Sequence, residues 1–155
     1  MLVRRFRVSD AFEVSSIIRC AIMERDNRNY TLEQLYSIAN YYSADNMCSE
    51  LDKRINYVCL EDGEIRGTGT LRGDEIMAVF IDPDYQGKGI GIKLMKILEN
   101  EAVKKGLNRV WLVAVLSAVS FYEKMGYSFI RYKIHLDWGK GVIMEKHLLK
   151  RQSAS

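Results

Sequence analysis

The feature that most constrains this chain is a glycine-rich turn, QGKGIG at residues 86–91, which lies between an apolar run and an amphipathic stretch. The apolar run from Ile76 to Ile81 predicts a buried strand, and the stretch from Ile90 to Lys105 predicts a helix. Glycine lets the backbone approach a ligand closely and adopt positive φ angles. The amide groups at a helix N-terminus attract anions. The sequence therefore predicts a phosphate-binding turn at residues 87–92.

The glycine spacing excludes two common phosphate motifs. A P-loop needs Ser or Thr directly after Gly-Lys, whereas Lys88 lies inside this turn. The dinucleotide motif needs G-x-G-x-x-G, whereas this chain has G-x-G-x-G from Gly87 to Gly91. The pattern that fits is Q-x-x-G-x-G from Gln86 to Gly91. It resembles the acetyl-CoA signature of the GNAT superfamily of N-acetyltransferases, and the wider run VFIDPDYQGKGIG at residues 79–91 resembles the same family.

A second segment, AVSFYEKMGY at residues 118–127, resembles a later helix and turn of that family. Gly126 stands where glycine commonly ends a helix, and a strand is expected to begin at Tyr127. The resemblance extends over residues 1–148, although its specific motifs lie within 75–127. It implies one GNAT-like domain at residues 1–148, followed by a flexible tail at 149–155.

The order of the predicted elements indicates an α/β fold with a mixed, mostly antiparallel central sheet flanked by helices. The resemblance implies that two strands of this sheet, 75–81 and 110–115, splay apart to admit the pantetheine arm of the cofactor. The expected strands are 2–6, 57–61, 65–71, 75–81, 110–115, 127–136 and 141–147. The first expected helix is capped by Ser9 or Asp10 and runs to about Met23, and the second is capped by Thr31. Three further helices are expected at 45–54, 90–105 and 117–125.

Composition narrows the functional class. The 155 residues, 48% of them hydrophobic, suit one packed domain, and a net charge of +3 without a basic stripe argues against nucleic-acid binding. The N-terminus lacks the apolar core of a signal peptide, and the longest apolar run, Val110 to Leu116, is too short to cross a membrane. Cys20, Cys48 and Cys59 lack metal-ligand spacing, so we interpret them as reduced thiols in a cytoplasmic protein that binds no metal.

The resemblance also implies which residues would contact acetyl-CoA. Backbone groups of one strand would pair with the amides of pantetheine as an added strand would. The amides of the glycine-rich turn would bind the pyrophosphate, and Ser117 stands where relatives often carry an asparagine that bonds the cofactor. The cofactor-binding residues expected on this basis are Val79, Phe80, Ile81, Gln86, Gly87, Lys88, Gly89, Ile90, Gly91, Ile92, Ser117 and Tyr122.

Acyl transfer to an amine needs a base, an acid and a donor to the developing oxyanion. Tyr122 aligns with the tyrosine that serves as general acid in many relatives, the alternative being an aromatic packed at a helix end. Glu75, 11 residues before Gln86, stands where some protein-acetylating relatives carry a base glutamate. Two alternatives stay open for Glu75. It is an ordinary carboxylate at the end of a strand, or the amine loses its proton through water without a dedicated base. The backbone N–H of Ile81 is the expected oxyanion donor.

The segment after residue 24 is expected to form a wall of the acceptor site. Tyr30 and Tyr41 are its candidate substrate contacts, with packing at the edge of the core as the alternative. Aromatic walls with acidic neighbours, such as Glu24 and Asp26, suit a cationic amine. Trp138 would close the pocket or pack at a dimer contact.

The resemblance therefore implies an acetyl-CoA-dependent N-acetyltransferase. The acceptor would be a primary amine, more readily that of a small molecule, and it would attack directly in a ternary complex. Two alternatives stay open: a catalytically silent module that binds or senses acyl-CoA, and an acetyltransferase for protein or peptide amines. No nucleic acid or membrane partner is expected, and a homodimer stays open.

Overall fold

The computed structural model describes residues 1–25, 30–135 and 139–149, so the expectations for residues 26–29, Trp138 and most of the C-terminal tail lie outside the described residues. Within those ranges, no helix is both long enough and apolar enough to cross a membrane. The strands are β1 (Leu2–Arg5), β2 (Ile55–Glu61), β3 (Glu64–Arg72), β4 (Glu75–Ile81), β5 (Arg109–Val115), β6 (Ser128–His135) and β7 (Gly139–His147). The helices are α1 (Ala11–Arg25), α2 (Leu32–Tyr41), α3 (Ala44–Ser49), α4 (Ile90–Lys104) and α5 (Val119–Lys124).

The seven strands form one sheet in the order β1-β2-β3-β4-β5-β7-β6. Every neighbouring pair is antiparallel except β4 and β5, which run parallel. The predicted mixed, mostly antiparallel sheet flanked by helices is therefore confirmed.

Two helix predictions differ from the structure in detail. The helix expected at 45–54 is α3 followed by a separate 3-10 turn at Leu51–Lys53. Asp10 lies directly before α1, but it ends a separate 3-10 turn, Val8–Asp10, and is not a simple N-cap. Its carboxylate accepts the Arg7 amide at 2.8 Å and both terminal nitrogens of Arg4 at 2.8 and 3.0 Å. The guanidinium of Arg4 thereby holds the pKa of this carboxyl below its usual value.

The strands β4 and β5 meet only at one end. In the described residues their register contains a single pair, Glu75 with Trp111. There the backbone N–H of Trp111 donates to the carbonyl of Asp74 at 3.1 Å, and the indole Nε1 donates to the Asp74 carboxylate at 2.9 Å. Because backbone amides and carbonyls inside a protein need hydrogen-bond partners, the open side of β4 is a place where an amide-bearing ligand can bind. The predicted splayed pair is confirmed.

A β-bulge bends β4 next to this opening. Met77 pairs with Thr70 and Phe80 with Thr68, so Ala78 and Val79 together oppose one residue of β3. Ala78 has a φ of 54°, which is uncommon for a residue with a side chain. Bulges of this kind redirect backbone groups and are frequent beside functional sites.

The helix α4 packs closely on the sheet because β3 carries glycines beneath it. Leu94 and Leu98 are completely buried at this contact. A Cβ atom built at Gly67 would lie 2.7 Å from Cγ2 of Ile90, and one at Gly69 would lie 2.9 Å from Cδ1 of Leu98. The missing side chains therefore set the distance between α4 and the sheet, and with it the position of the N-terminus of the helix.

A partly buried ion pair fixes the middle of α4 from another side. Glu99 accepts a hydrogen bond from Nζ of Lys146 at 2.7 Å and one from the hydroxyl of Tyr127 at 3.2 Å. Burial, together with the charge of Glu99, raises the pKa of Tyr127 above its usual value, so this hydroxyl stays protonated as a donor. The pair ties α4 to β7 and to the segment that follows α5.

We expect Gly67→Ala to destabilise the protein by about 1–3 kcal/mol, because overpacking forces neighbouring atoms to shift. Urea unfolding followed by circular dichroism would measure this loss. The same change in an Ile90→Ala background should cost clearly less, because the nearest atom that the new Cβ meets is gone and only Ile81 and Leu94 stay close, at 3.1 Å. Equal costs in both backgrounds would contradict the close-approach explanation.

Candidate active site

The glycine-rich turn has the backbone geometry that an anion site requires. Gly87 and Gly89 have φ angles of 76° and 84°, in the left-handed region that favours glycine. The first backbone hydrogen bond of α4 runs from the N–H of Lys93 to the carbonyl of Gly89, at 3.1 Å. The N–H groups of residues 90–92 therefore have no acceptor within the helix, and they point out of its positive end.

Side chains next to the turn hold it in place, and two cations lie among them: Arg66, which is paired with Glu64 and Asp82, and Lys88. The Asp82 carboxylate accepts the Asp84 amide at 3.0 Å and Nη1 of Arg66 at 3.1 Å. The Arg66 guanidinium lies 4.1 Å from the centre of the Tyr85 ring, and Nζ of Lys88 lies 4.7 Å from the same centre. Arg66 was missed by the sequence analysis, because it belongs to β3 and only the pairing of strands brings it to this turn.

The other expected cofactor residues of the turn and of the first turn of α4 differ in their exposure and packing. Gln86 has a side-chain Nε2 that is shielded from solvent and has no acceptor among the described residues. Ile90 is 1% exposed, so only its backbone is available to a ligand, whereas Ile92 is 44% exposed. A Cβ at Gly91 would lie 3.2 Å from the Phe121 ring, so the small size of this glycine also serves the packing of α4 against α5.

Two further positions complete the expected cofactor set. Val79, Phe80 and Ile81 form the last part of β4, beyond its single pairing with β5. Ser117 lies in a 3-10 turn, Leu116–Ala118, directly after β5, and its side chain is exposed. The structure therefore places these residues on the two sides of the gap between the splayed strands.

Tyr122, the expected general acid, is held in an aromatic cluster. It is 8% exposed, and its ring lies edge-on to those of Phe121 and Tyr127, with centroid distances of 5.1 and 5.8 Å. Its backbone carbonyl accepts the amides of Met125 and Tyr127, both at 3.0 Å, where α5 ends. These contacts fix the ring in the core cluster that includes Leu112 and Ala114 of β5.

Tyr42, in the segment expected to wall the acceptor site, lies close enough to both expected catalytic residues to interact with their charges, and no catalytic role was expected for it. Burial raises the pKa of Tyr42 above its usual value, and its neighbours Tyr41, Glu75 and Tyr122 add to that effect. Its ring packs edge-on against Phe80, with a centroid distance of 5.4 Å. The hydroxyl is therefore a protonated donor beside β4. No motif marks Tyr42, and only the folding of α2 over the sheet brings it to this place.

Glu75 is half-buried at the start of β4, beside the junction with β5. Burial raises the pKa of its carboxyl above the usual range for glutamate, while the positive charges of Lys133, Arg72 and Arg54 act in the opposite direction. A carboxylate with a raised pKa is suited to accept a proton near neutral pH. This environment supports the predicted base role, which stays a prediction.

Tyr41 belongs to a charged cluster at the same end of the sheet. Its hydroxyl accepts a hydrogen bond from Nη2 of Arg54 at 3.0 Å, and the same nitrogen lies 2.6 Å from Oε2 of Glu50. Nη1 of Arg72 lies 3.8 Å from that carboxylate oxygen. The rings of Tyr41 and Tyr42 meet edge-on at 4.9 Å, so the cluster adjoins the expected catalytic residues.

Tyr30 occupies a more enclosed position than Tyr41. It is 8% exposed within the cluster of α1 core residues, and its hydroxyl donates to the carbonyl of Lys140 at 2.8 Å. The contact ties the start of α2 to the start of β7. Contact of Tyr30 with a substrate stays a prediction.

The glycine-rich turn and the splayed strands agree with a comparison of the sequence with models of protein families. The model of the acetyltransferase (GNAT) domain matches residues 26–148. The chain belongs to the GNAT acetyltransferase family. The recognised resemblance is therefore confirmed, and the glycine-rich turn, the splayed strands and the tyrosine of α5 lie within the matched region of this GNAT protein.

Individual relatives support the same fold. The uncharacterized protein YdhI of Bacillus subtilis (strain 168) is 34% identical over 89 residues, and this chain spans 53% of its length. A crystal structure of a GCN5-related N-acetyltransferase from Rhodopseudomonas palustris superposes with a TM-score of 0.89 at 24% identity, covering 95% of both chains. The PaiA N-acetyltransferase of Thermoplasma acidophilum, solved with coenzyme A, superposes with a TM-score of 0.82 at 21% identity, covering 94% of this chain and 98% of its own.

The charges around Glu75 give a pH prediction. Because burial raises its pKa, the Glu75 carboxyl should become protonated at a higher pH than an exposed glutamate. Lys133→Gln removes a charge that lowers this pKa, so it should raise the midpoint further. Carbon-detected NMR titration of the side-chain carboxyl would measure both values. A midpoint at or below that of an exposed glutamate would contradict the burial.

Proposed function

We propose that this GNAT protein transfers the acetyl group of acetyl-CoA to a primary amine of a small molecule, which attacks directly in a ternary complex. The carrying observation is that the open side of β4 runs from the junction at Glu75 to the glycine-rich turn, with the Tyr42 ring packed edge-on against Phe80 of the same strand. Residues 1–148 would form the single catalytic domain.

The described residues suit coenzyme A in three respects. The free amides at the start of α4, with Lys88 and Arg66 nearby, suit a pyrophosphate. The open side of β4 from Val79 to Ile81 suits the amides of pantetheine. The first turn of α4 carries no acidic side chain that would oppose an anion. Bound acetyl-CoA would supply an acetyl group activated as a thioester.

Each catalytic residue then has a separate task. Glu75 would take the proton that the amine loses as its nitrogen bonds to the acetyl carbon. The backbone N–H of Ile81 would donate to the developing oxyanion. Tyr122 would give its proton to the departing sulfur, because a phenol is protonated at neutral pH. Tyr42, a protonated donor whose ring packs against Phe80 of β4, would orient the groups at the reacting centre.

We expect acetyl-CoA to raise the unfolding temperature, because a ligand that binds only the folded state stabilises it. Gly89→Val should sharply reduce this shift, since its φ of 84° is unfavourable for a β-branched residue. Gly106→Val is a matched control, with a φ of 82° at the other end of α4. It should destabilise the free protein and yet retain the shift. No shift for the unaltered protein at millimolar acetyl-CoA would contradict the proposed cofactor.

We expect Tyr122→Phe to lower kcat by about 10²–10⁴-fold, the usual contribution of a general acid, with little change in acetyl-CoA affinity. Glu75→Gln should remove the acidic limb of the pH profile of kcat. In the unaltered protein, the midpoint of that limb should lie above the pKa of an ordinary glutamate, because activity requires the ionised form of a carboxyl whose pKa is raised. The rate is measured as release of the CoA thiol with each amine of a panel of acceptors.

Ser120→Ala is the control for these variants, because Ser120 is exposed on the same short helix. It should keep the rate of the unaltered protein. Full activity of Tyr122→Phe would remove the assigned acid. Tight acetyl-CoA binding without turnover of small amines, peptides or proteins would instead identify a silent acyl-CoA-binding module. Turnover of peptide or protein amines alone would identify a protein acetyltransferase.

A further inference from the structure

A carboxylate stands among the buried side chains of α4, where packing alone gives no reason for one. Glu99 is 9% exposed, and the other buried residues of this helix are apolar: Ile90, Leu94, Met95, Leu98 and Ala102. A buried charge is unfavourable unless other groups compensate it. Apolar residues of similar volume often replace a buried ion pair without loss of stability. The carboxylate of Glu99 therefore calls for an explanation other than the packing of α4 on the sheet.

Each oxygen of the Glu99 carboxylate has its own donor. Nζ of Lys146 donates to Oε1 at 2.7 Å, and the hydroxyl of Tyr127 donates to Oε2 at 3.2 Å. The same Nζ lies 5.7 Å from the centre of the Tyr127 ring. Because hydrogen bonds depend on angle as well as distance, these contacts hold the Tyr127 ring in a defined place against α4.

Tyr127 in turn contacts the proposed general acid, Tyr122, through both its ring and its backbone. The two rings meet edge-on with a centroid distance of 5.8 Å, and the N–H of Tyr127 donates to the carbonyl of Tyr122 at 3.0 Å. Tyr127 is 3% exposed and Tyr122 is 8% exposed. In a close-packed interior a displaced side chain moves its neighbours, so the place of the Tyr127 ring bears on the orientation of Tyr122.

The helix α5 also contacts α4 at a second point, through Phe121. A Cβ atom built at Gly91 would lie 3.2 Å from Cζ of Phe121, whose ring meets that of Tyr122 edge-on at 5.1 Å. Glu99 lies roughly two turns further along α4. The contact at Gly91 is apolar and has no directional preference, whereas the contact at Glu99 is a directional hydrogen bond. The second contact is therefore the one that sets the orientation.

We propose that Glu99 and Tyr127 are positioning residues for Tyr122: the carboxylate of α4 holds the Tyr127 ring, and this ring orients the general acid. The proposal rests on the proposed function, because Tyr122 is the acid assigned there. The helix α4 then has two tasks, since its first amides are free to bind an anion and its middle supports the acid. A rigid helix keeps these two places at a constant distance.

The first test removes the hydroxyl of Tyr127 alone. We expect Tyr127→Phe to lower kcat by about tenfold, because a misplacement of about 1 Å already costs about 10²-fold and the loss of one bond shifts the ring by less. The shift of the unfolding temperature by acetyl-CoA should be unchanged. In a Tyr122→Phe background the same change should lower kcat by less than about twofold, because no acid is left to orient.

An apolar replacement separates catalysis from stability. Glu99→Leu combined with Tyr127→Phe leaves no buried polar partner unpaired, since the side chain of Lys146 is 27% exposed and can reach solvent. This double variant should unfold at nearly the same urea concentration as the unaltered protein and still show the tenfold lower kcat of about the same size as Tyr127→Phe. Glu99→Gln, which keeps an acceptor oxygen for Tyr127, should restore part of kcat.

Tyr57→Phe is the matched control. The hydroxyl of Tyr57 on β2 donates to Oε1 of Glu101 at 2.7 Å, so the change removes a tyrosine–glutamate hydrogen bond to the same helix. It should cost a similar amount of stability and leave kcat unchanged. Ring NMR signals of labelled tyrosine, assigned with Tyr122→Phe, should show faster flipping of the Tyr122 ring in Tyr127→Phe and no change in Tyr57→Phe.

Equal losses of kcat from Tyr127→Phe in the unaltered and Tyr122→Phe backgrounds would show a merely structural role and overturn the proposal. Unchanged kcat in Tyr127→Phe or in the double variant would also overturn it, while Tyr122 stays the acid. A loss of kcat of the same size in Tyr57→Phe would do so as well. Full activity of Tyr122→Phe is a separate outcome, because it removes the assigned acid and with it the residue that is positioned.

Discussion

The organisation of this protein depends on the incomplete pairing of two parallel strands. β4 and β5 are joined at Glu75 and Trp111, and they separate beyond that point. A strand inside a fold normally pairs its backbone on both sides, because unpaired amides and carbonyls are costly away from water. The bulge at Ala78 lies in the strand that borders this opening. The gap is therefore built into the sheet and does not depend on a mobile loop.

Close packing then brings a helix terminus to the end of the gap. Gly67 and Gly69 let α4 approach the sheet, and the pairing of Glu99 with Lys146 holds the helix further along its length. The free amides at the start of α4 consequently face the region into which the open strand leads. A larger side chain at Gly67 would meet Ile90 of α4 and Ile81 of β4, so this core position bears on the geometry of the site from beneath.

The opposite end of β4 has a different character. There Glu75 and Tyr42 are buried enough to have raised pKa values, and Arg54, Arg72 and Lys133 add positive charge. One strand thus connects the glycine-rich turn, which we propose binds the cofactor, to Glu75, the proposed proton acceptor.

The sequence by itself determined the elements whose signals are local. The strand, glycine turn and helix from residue 76 to 105 could be predicted because glycine at 87 and 89 and the apolar periodicity act over a few residues. The mixed sheet and the family followed from the same motifs. The sequence placed Tyr42 only in the expected wall of the acceptor site, and neither Arg66 nor the cations near Glu75 could be predicted, since no spacing marks them. Their positions are decided by strand pairing and by the packing of α2 on the sheet, which join residues distant in the chain. Burial and neighbouring charge, which set the chemistry of Glu75, exist only once the tertiary structure has formed.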